Sequence, residues 1–412
     1  MAGNITGVAT SFGLPNYQGQ LFGLTPYDTP LLSAIGGLTG GRQTESTQLE
    51  WQTYDLRDPS AGRARLEGAT APTAEARVRG VVRNVVEVHQ EVVAVSYTKQ
   101  AAIRQYSSAA SAPFITADDD GQENPVTDEM SFQLEQAIKG IALDVNYSFW
   151  NGQFVNPTTN ASARQTRGVL QAVTTNVVDK SVVSYTGFSS ATDTITGTHA
   201  LANGDKVIFS RTGDYATQAT GITAGRIYYV VNVVGTTTFK VSLTSGGAAI
   251  TLGTSTSNLD LRKTWATTLT NTVFEDAVQL AYDNGGLTEN STATICCNST
   301  QKRALTAAYA SAYLKADPLA GTRNVGGLAL ETIYTDFGRF NILLDRHIPR
   351  DTIAILSLEQ FAPVFLAVPD KGIFFAEPLA KTGASDQVQL YGEIGLQYGA
   401  ENAHAVIRGL AV

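Results

Sequence analysis

The residues that could support catalysis are few, and they lie far apart in the chain. Ser299 and Lys302 have the Ser-x-x-Lys spacing of a nucleophile and its neighbouring base, but the Ser-Asp-Asn motif that accompanies this spacing in known enzymes is absent. A serine ahead of an apolar periodic run also commonly caps a helix. We therefore interpret Ser299 as a helix start and expect no enzymatic activity. A hydrolase that uses Ser299 and Lys302 is the alternative hypothesis.

The residues that could bind a metal ion do not form a recognisable site. Asp118, Asp120 and Gly121 fit part of a calcium-binding loop, but the twelfth position, which should be a bidentate glutamate, is Thr127. The histidines lack metal-ligand spacing, and the two cysteines are adjacent, too close for a relaxed disulfide. These residues are His89, His199, His347, His404, Cys296 and Cys297. We expect no metal and no cofactor, and two cysteines buried in a strand, as suits a reducing compartment.

The segment 49–97 contains a long polar stretch between two strand-like sequences. Within 55–79 the only large apolar residues are Leu56, Leu66 and Val78, so this stretch cannot build a core of its own. A two-stranded arm is stable only when it packs on something else. Arginine suits planar pairing with carboxylates across an interface, although exposed ion pairs are often only solvated surface. The candidate intersubunit contacts are Arg57, Arg63, Arg65, Glu67, Glu75, Arg77 and Arg79.

Two periodic patterns predict the elements that flank this stretch. Apolar residues spaced three and four apart predict a long helix over 128–151, a structural spine. Its predicted core residues are Leu134, Ile138, Ile141, Val145 and Phe149. Alternation over 80–95 predicts a half-buried strand. Its predicted buried face carries Val82, Val86, Val88, Val92 and Ala94.

Residues 181–262 differ in character from the rest of the chain. Short strands rich in Val and Thr alternate with glycine-containing turns there, which predicts an all-β insertion, a barrel or a sandwich. Beyond it, Thr272–Glu275 fits a capping box for a helix that runs to Asp283, and a second helix should open at Ser299 or Thr300. Buried strands are expected at 293–297, 340–344 and 353–356. The predicted fold class is therefore α+β with an all-β insertion.

The composition is that of an ordinary globular protein with a substantial core. The chain has 412 residues, of which 43% are hydrophobic, and its formal net charge is −8. A negative chain does not favour a dedicated nucleic-acid binder. No apolar run is long enough for a transmembrane helix, and we see no signal peptide at the N-terminus.

Several segments together resemble the major capsid proteins of tailed bacteriophages. They are Gln20–Ile35, Leu49–Leu56, Asn341–Pro349, Thr352–Ser357 and Tyr391–Leu410. The insertion at 181–262 falls outside the resemblance. What the resemblance implies is a tailed-phage major capsid fold in six parts. These are an N-terminal arm (1–48), an extended β loop with flanking peripheral-domain strands (49–97), a peripheral domain with the spine helix (98–180), an all-β insertion domain (181–262), an axial domain (263–369) and C-terminal peripheral-domain strands (370–412).

The same resemblance implies a function and a set of partners. Hexamers and pentamers of the chain would form an icosahedral shell around double-stranded DNA, which the shell would contact without sequence specificity. The other implied partners are a scaffolding protein, a portal and, where the phage has one, a decoration protein; no membrane is involved. Assembly would take place in the cytoplasm of the host bacterium, and the product would be part of the virion. Another virion structural protein, a decoration or tail component, is the alternative.

Two departures from the family pattern sharpen the expectation. Some relatives begin with a charged helical scaffolding segment, whereas this sequence opens directly on its arm, so we expect scaffolding from a separate protein. Some relatives also cross-link a loop lysine to an asparagine of a neighbouring subunit. Here the first lysine is Lys99, beyond the projecting loop. We therefore predict a shell that is held by noncovalent contacts.

Overall fold

The computed structural model describes residues 26–54, 63–71, 73, 78–103, 129–179, 182–183, 187–189, 191–211, 221–223, 226–253, 259–263, 269–287, 293–316, 332–381 and 383–412. Contacts divide the chain into two units. The smaller unit draws on 1–27, 91–140 and 376–390, and the larger on 28–90, 141–375 and 391–412. The predicted calcium-loop segment, 116–127, lies outside the described residues.

The described part of the chain contains six α-helices. They are α1 (Pro30–Ile35), α2 (Tyr97–Ile103), α3 (Glu129–Asn151), α4 (Val169–Ala172), α5 (Asn271–Asp283) and α6 (Ser299–Ala316). Helix α3 lies where the apolar spacing predicts a helix, and α6 begins at Ser299 as expected. The cap of α5 differs from the prediction, since the hydroxyl of Thr270, not of Thr272, accepts the backbone N–H of Val273 at 3.5 Å. No helix in these ranges is long and apolar enough to cross a membrane.

The strands of the described ranges are named in chain order. They are β1 (Arg42–Thr44), β2 (Gln48–Tyr54), β3 (Arg79–Val85), β4 (Glu87–Ser96), β5 (Val177–Asp179), β6 (Val182–Val183), β7 (Gly187–Ser189), β8 (Thr194–Thr196), β9 (Lys206–Arg211), β10 (Ile227–Val234), β11 (Thr238–Ser242), β12 (Leu259–Lys263), β13 (Ala293–Cys297), β14 (Thr332–Thr335), β15 (Gly338–Leu344), β16 (Ile353–Ser357), β17 (Ala362–Leu366), β18 (Phe374–Pro378), β19 (Ser385–Gln397) and β20 (Ala405–Arg408). Both long helices and multi-stranded sheets are present, as the predicted α+β class requires.

A six-stranded sheet forms the main core of the larger unit. Its order is β14-β15-β13-β16-β20-β5, with β13 parallel to β15 and antiparallel to β16. Helices α5 and α6 cover it and bury Phe274 and Leu305 against Ile295, Phe340 and Ile355. Cys296 and Cys297 are completely buried in β13, as the sequence predicts. A central strand covered on both faces has little room for polar side chains.

A second sheet joins segments that are distant in sequence. Its order is β1-β17-β19-β18, and β4 also pairs with β19. Strand β1 runs parallel to β17, and β17 runs antiparallel to β19 from Ala362↔Gln397 to Leu366↔Glu393.

The membership of these two sheets differs from the predicted division at residue 370. Strand β17, expected in the axial domain, pairs with β19, whereas β20, expected among the peripheral strands, joins β16 and β5. The reason is hydrogen-bond pairing across long sequence separations, which no local pattern encodes.

A third, seven-stranded sheet is built only from strands between Val182 and Lys263. Its order is β6-β12-β9-β10-β11-β8-β7, and each pair of neighbouring strands in it is antiparallel. The core of this sheet is apolar and aromatic. Its largest buried members are Phe188, Phe209, Tyr228 and Phe239. Whether this region is a separate domain with the boundaries 181 and 262 stays a prediction.

The predicted buried face of residues 80–95 is correct before β4 and wrong within it. Val86 is buried and Val82 half-buried, as predicted. In β4, however, Val88, Val92 and Ala94 are exposed, whereas His89, Val93 and Val95 are buried. The cause lies just before the strand, where Asn84, Val85 and Val86 are buried consecutively. Three buried residues in a row shift the alternation by one, and a shift of one residue reverses the faces of a strand.

Candidate assembly surfaces and a buried polar cluster

The predicted projecting loop stands on a two-stranded ribbon. Strands β2 and β3 pair antiparallel over seven residues, from Gln48↔Val85 to Tyr54↔Arg79, and neither belongs to a larger sheet in the described chain. Arg83 Nε lies 3.0 Å from Glu50 Oε1 on this ribbon. The described residues between the two strands are 63–71, 73 and 78, and all of them are exposed.

The structure places four of the seven predicted contact residues. Arg63, Arg65, Glu67 and Arg79 are exposed. The remaining three lie outside the described residues, namely Arg57, Glu75 and Arg77. Their role as intersubunit contacts stays a prediction.

The base of the ribbon is fixed by Asn84, a residue that sequence reasoning missed. Its side chain is completely buried. The amide nitrogen donates to the carbonyl of Leu396 at 2.6 Å, and the amide oxygen accepts the backbone N–H of Arg167 at 2.7 Å. A buried amide that satisfies both its donor and its acceptor is stabilising and sets one geometry. The ribbon therefore leaves the larger unit from an anchored base.

Along helix α3 the predicted core residues are buried to different degrees. Ile141, Val145 and Phe149 are at most 3% exposed, whereas Leu134 and Ile138 are only half-buried. Asn146 and Trp150 of the same helix, whose side chains can form hydrogen bonds, are completely buried. Their burial was not predicted.

Asn146 and Trp150 meet a buried carboxylate, Asp345, at the end of β15. Asp345 Oδ2 accepts from Trp150 Nε1 at 2.8 Å and from Asn146 Nδ2 at 3.0 Å, and Oδ1 accepts the backbone N–H of His347 at 2.9 Å. Burial alone would raise the pKa of Asp345, but the hydrogen bonds from His347, Asn146 and Trp150 outweigh it and hold the pKa below its ordinary value. The carboxylate is therefore ionised at neutral pH.

The same cluster attaches helix α1 of the predicted arm. Asn146 Oδ1 accepts the backbone N–H of Leu32 at 3.0 Å, and Leu31 and Leu32 are buried. At the surface nearby, both carboxylate oxygens of Asp28 lie 3.2 Å from Arg346 Nε. Helix α1 is thus fixed by one buried hydrogen bond, apolar burial and an ion pair.

A buried ion pair lies where the seven-stranded sheet meets β5. Arg262 is 1% exposed, and its Nε lies 2.5 Å from Asp179 Oδ2. Asp351 is also buried; burial raises its pKa, and the positive charge of Arg262 opposes that rise. A buried guanidinium that loses its carboxylate is strongly destabilising. These charges therefore fix how residues near 179 and 262 pack.

The residues with possible chemistry take structural roles. The Ser299 hydroxyl donates to Asn298 Oδ1 at 3.0 Å, at the first residue of α6. A Lys-Thr-Gly sequence, which also accompanies Ser-x-x-Lys in known enzymes, occurs at 381–383, where Lys381 Nζ lies 2.8 Å from Asp386 Oδ1. Burial raises the pKa of Cys297 to about 11, so this thiol is protonated and unreactive at neutral pH. Among the residues described, no His, Cys, Asp and Glu group could hold a metal ion.

Comparison with known proteins agrees with this architecture. The capsid asymmetric unit of cyanophage A-1(L) has a TM-score of 0.53 at 12% identity, covering 98% of this chain and 99% of that one. The capsid of cyanophage P-SCSP1u has a TM-score of 0.46 at 11% identity, covering 98% of this chain and 94% of that one. The structure of Mycobacterium phage Che8 has a TM-score of 0.44 at 9% identity, covering 98% of this chain and 99% of that one. The likeness of fold rests on the first of these.

Family membership comes from the sequence itself. No curated protein matches the chain. The sequence model described as SU10 major capsid protein, however, matches residues 4–411, nearly the whole length. The match includes both the exposed ribbon loop and the buried cluster around Asp345. The chain therefore belongs to the SU10 major capsid protein family.

Proposed function

We propose that copies of this chain are fastened together by noncovalent contacts of the ribbon loop. As a major capsid protein of a tailed phage, the chain assembles with copies of itself into the icosahedral capsid of the virion. The observation that supports the loop as a fastening is its exposure. Residues 63–71 are exposed on a ribbon that pairs with no other strand in the described chain. Such a ribbon gains stability by lying on another subunit.

The family match favours a shell protein over a decoration or tail component, because it extends over residues 4–411 and is not confined to the insertion. We further propose that assembly takes place in the host cytoplasm with a scaffolding protein and a portal, and that the shell contacts packaged double-stranded DNA without sequence specificity. A capsid protein is not an enzyme class, and the pairing of the Ser299 hydroxyl with Asn298 supports the absence of catalysis.

The experiment compares two arginine variants of the protein. Arg65→Gln removes an exposed charge of the loop, and Arg83→Gln removes one that already pairs with Glu50 in the same chain. We expect Arg65→Gln shells to dissociate at lower urea concentration than wild type, while Arg83→Gln shells behave as wild type. Equal dissociation of all three would contradict the role of the loop.

The noncovalent part of the proposal has its own test. The loop offers no lysine for an isopeptide bond, since the first lysine is Lys99. Denatured particles should therefore run on a denaturing gel as a single band near 43.7 kDa. A ladder of multiples of that mass would refute noncovalent fastening without affecting the assignment to the family.

A further inference from the structure

The connection between β15 and β16 is held from inside by buried amide side chains. Asn298 Nδ2 donates to the carbonyls of Arg346 and Ile348, at 3.3 and 3.1 Å. The Ser299 hydroxyl donates to Asn298 Oδ1, which fixes which end of the amide faces the carbonyls. Asn298 is only 8% exposed. One buried side chain thus determines the path of two residues of this connection.

Two further buried amides continue the same pattern. Asn151 Nδ2 donates to the carbonyl of His347 at 2.9 Å, and Gln301 Nε2 donates to the carbonyl of Arg350 at 2.7 Å. Because four carbonyls of 346–350 are bonded towards the protein, the backbone of this connection is fixed in one conformation. The side chains of Arg346 and Arg350 are exposed. The fixed backbone of this connection therefore positions the two positively charged side chains.

The side chains of Arg346 and Arg350 line a cavity of about 250 Å³. Arg226, which precedes β10 of the seven-stranded sheet, adds a third guanidinium to the lining, and His347 and Tyr147 lie in the same wall. No carboxylate is among the lining residues. Arg346 pairs with Asp28, whereas Arg226 and Arg350 form no ion pair among the described residues. Two guanidinium groups lining one recess without a described carboxylate partner favour the binding of an anion.

We propose that this arginine pocket, formed by Arg226, Arg346 and Arg350, accepts a carboxylate side chain of another copy of the chain. The proposal rests on the proposed function, since it supplies a specific contact for assembly. Arginine presents a planar fork of donors that matches a carboxylate. Asp28 already shows this chemistry at the edge of the pocket, with both oxygens 3.2 Å from Arg346 Nε.

The charge of the chain favours a protein carboxylate over DNA. Asp and Glu number 37 against 29 Lys and Arg, so neighbouring copies present a surplus of carboxylates. Binding of DNA depends on neutralising many phosphates along the backbone, whereas this pocket is a single recess fit for one acidic group. The occupant is therefore one Asp or Glu side chain from a second copy.

The test uses complete shells of the double variant Arg226→Gln/Arg350→Gln, with Arg339→Gln as a matched control on an exposed arginine of β15 outside the pocket. Urea midpoints for shell dissociation are measured at low salt and with added NaCl. We expect the double variant to weaken subunit association by about tenfold at low salt, equivalent to roughly 1.4 kcal/mol, and to show a smaller salt effect than wild type. Arg339→Gln should match wild type.

Failure of the proposed function can be distinguished from failure of the pocket proposal. If wild-type protein forms no shells, the proposed function fails and not the pocket alone. If shells form but the double variant dissociates like wild type, while thermal unfolding of its unassembled subunits is also unchanged, the pocket proposal is overturned. A defect seen in DNA-filled shells but absent from empty ones would assign the pocket to phosphate and overturn the carboxylate. A reconstruction of the wild-type shell should show a neighbour's carboxylate within 4 Å of two of the three guanidinium groups.

Discussion

Replacing the buried Asp345 by asparagine should destabilise the fold, although the two side chains have nearly the same volume. In the wild type, one oxygen accepts from Trp150 and Asn146. The other accepts the backbone N–H of His347 and also lies 3.0 Å from the ring Nδ1 of that residue. In Asp345→Asn the amide nitrogen must replace one of these oxygens. The less costly choice faces His347, because an unprotonated ring Nδ1 can accept from the amide, but the backbone N–H of His347 then meets another donor and loses its acceptor.

The magnitude follows from these bonds. One bond to a charged acceptor is lost, which costs about 1.5–3 kcal/mol. The two bonds that remain change from a charged to a neutral acceptor, and charge-assisted bonds are roughly twice as strong as neutral ones. We therefore expect the free energy of unfolding of Asp345→Asn to fall by about 3 kcal/mol at pH 7. This is a large share of the roughly 5–15 kcal/mol typical of a domain.

The pH dependence has a definite sign. The folded-state pKa of Asp345 lies below its ordinary value of 3.8, so the carboxylate stabilises the fold above that pH and loses this contribution as pH falls through the folded pKa. The asparagine does not titrate. The stability difference between wild type and Asp345→Asn should therefore narrow below about pH 4, as Asp345 itself becomes protonated.

Urea unfolding of unassembled subunits measures both effects. The control is Asp336→Asn, at an exposed aspartate in the turn between β14 and β15, which should stay within about 0.5 kcal/mol of wild type. A loss below about 1 kcal/mol for Asp345→Asn at pH 7, or a difference that widens as the pH falls below about 4, would refute the assignment of Asp345 as an ionised hydrogen-bond acceptor.

Two further substitutions probe the packing of the larger unit. Arg262→Met leaves Asp179 buried without its guanidinium, and we expect a loss of about 3–5 kcal/mol in urea unfolding; a neutral result would mean that the pair adds nothing. A Cβ at Gly168 would lie 2.7 Å from the backbone nitrogen of Gly152, so Gly168→Ala should cost roughly 1–3 kcal/mol. Gly383→Ala, where a Cβ meets nothing within 4 Å, is its control; equal melting temperatures would contradict the close backbone approach.

The parts of the fold that local sequence predicts are those with strong periodicity. Helix α3 follows from apolar spacing, and the burial of Cys296 and Cys297 follows from an uninterrupted apolar strand. The ribbon follows from two strand-like sequences around a stretch that has no core. Each of these signals lies within a window of a few turns or one strand, so it can be recognised without the rest of the chain.

Buried polar residues could not be predicted in the same way. Asn84, Asn146 and Asp345 resemble surface residues in the sequence, because their partners lie far along the chain, as Leu396 does for Asn84. Burial of a polar group is favourable only when its partners are in place. The segment Asn341–Pro349, part of the family resemblance, was the one available pointer to Asp345, and it gave no role for the carboxylate.

The reversed face of β4 has a different cause. Valines occur at both even and odd positions of the strand, so the apolar pattern fits either face. The three consecutive buried residues at 84–86 decide between them, and their burial depends on the neighbouring β19 and on Arg167. Pairing over such distances also explains why β17 and β20 lie in sheets that the linear division of the chain did not predict.

The most direct test of the central claim is electron cryomicroscopy of the purified, assembled protein. We expect closed icosahedral shells built from hexamers and pentamers of this chain, with the ribbon loop at 63–71 resting on a neighbouring subunit. A small discrete oligomer in place of shells would contradict the claim, as would a loop that contacts only its own subunit.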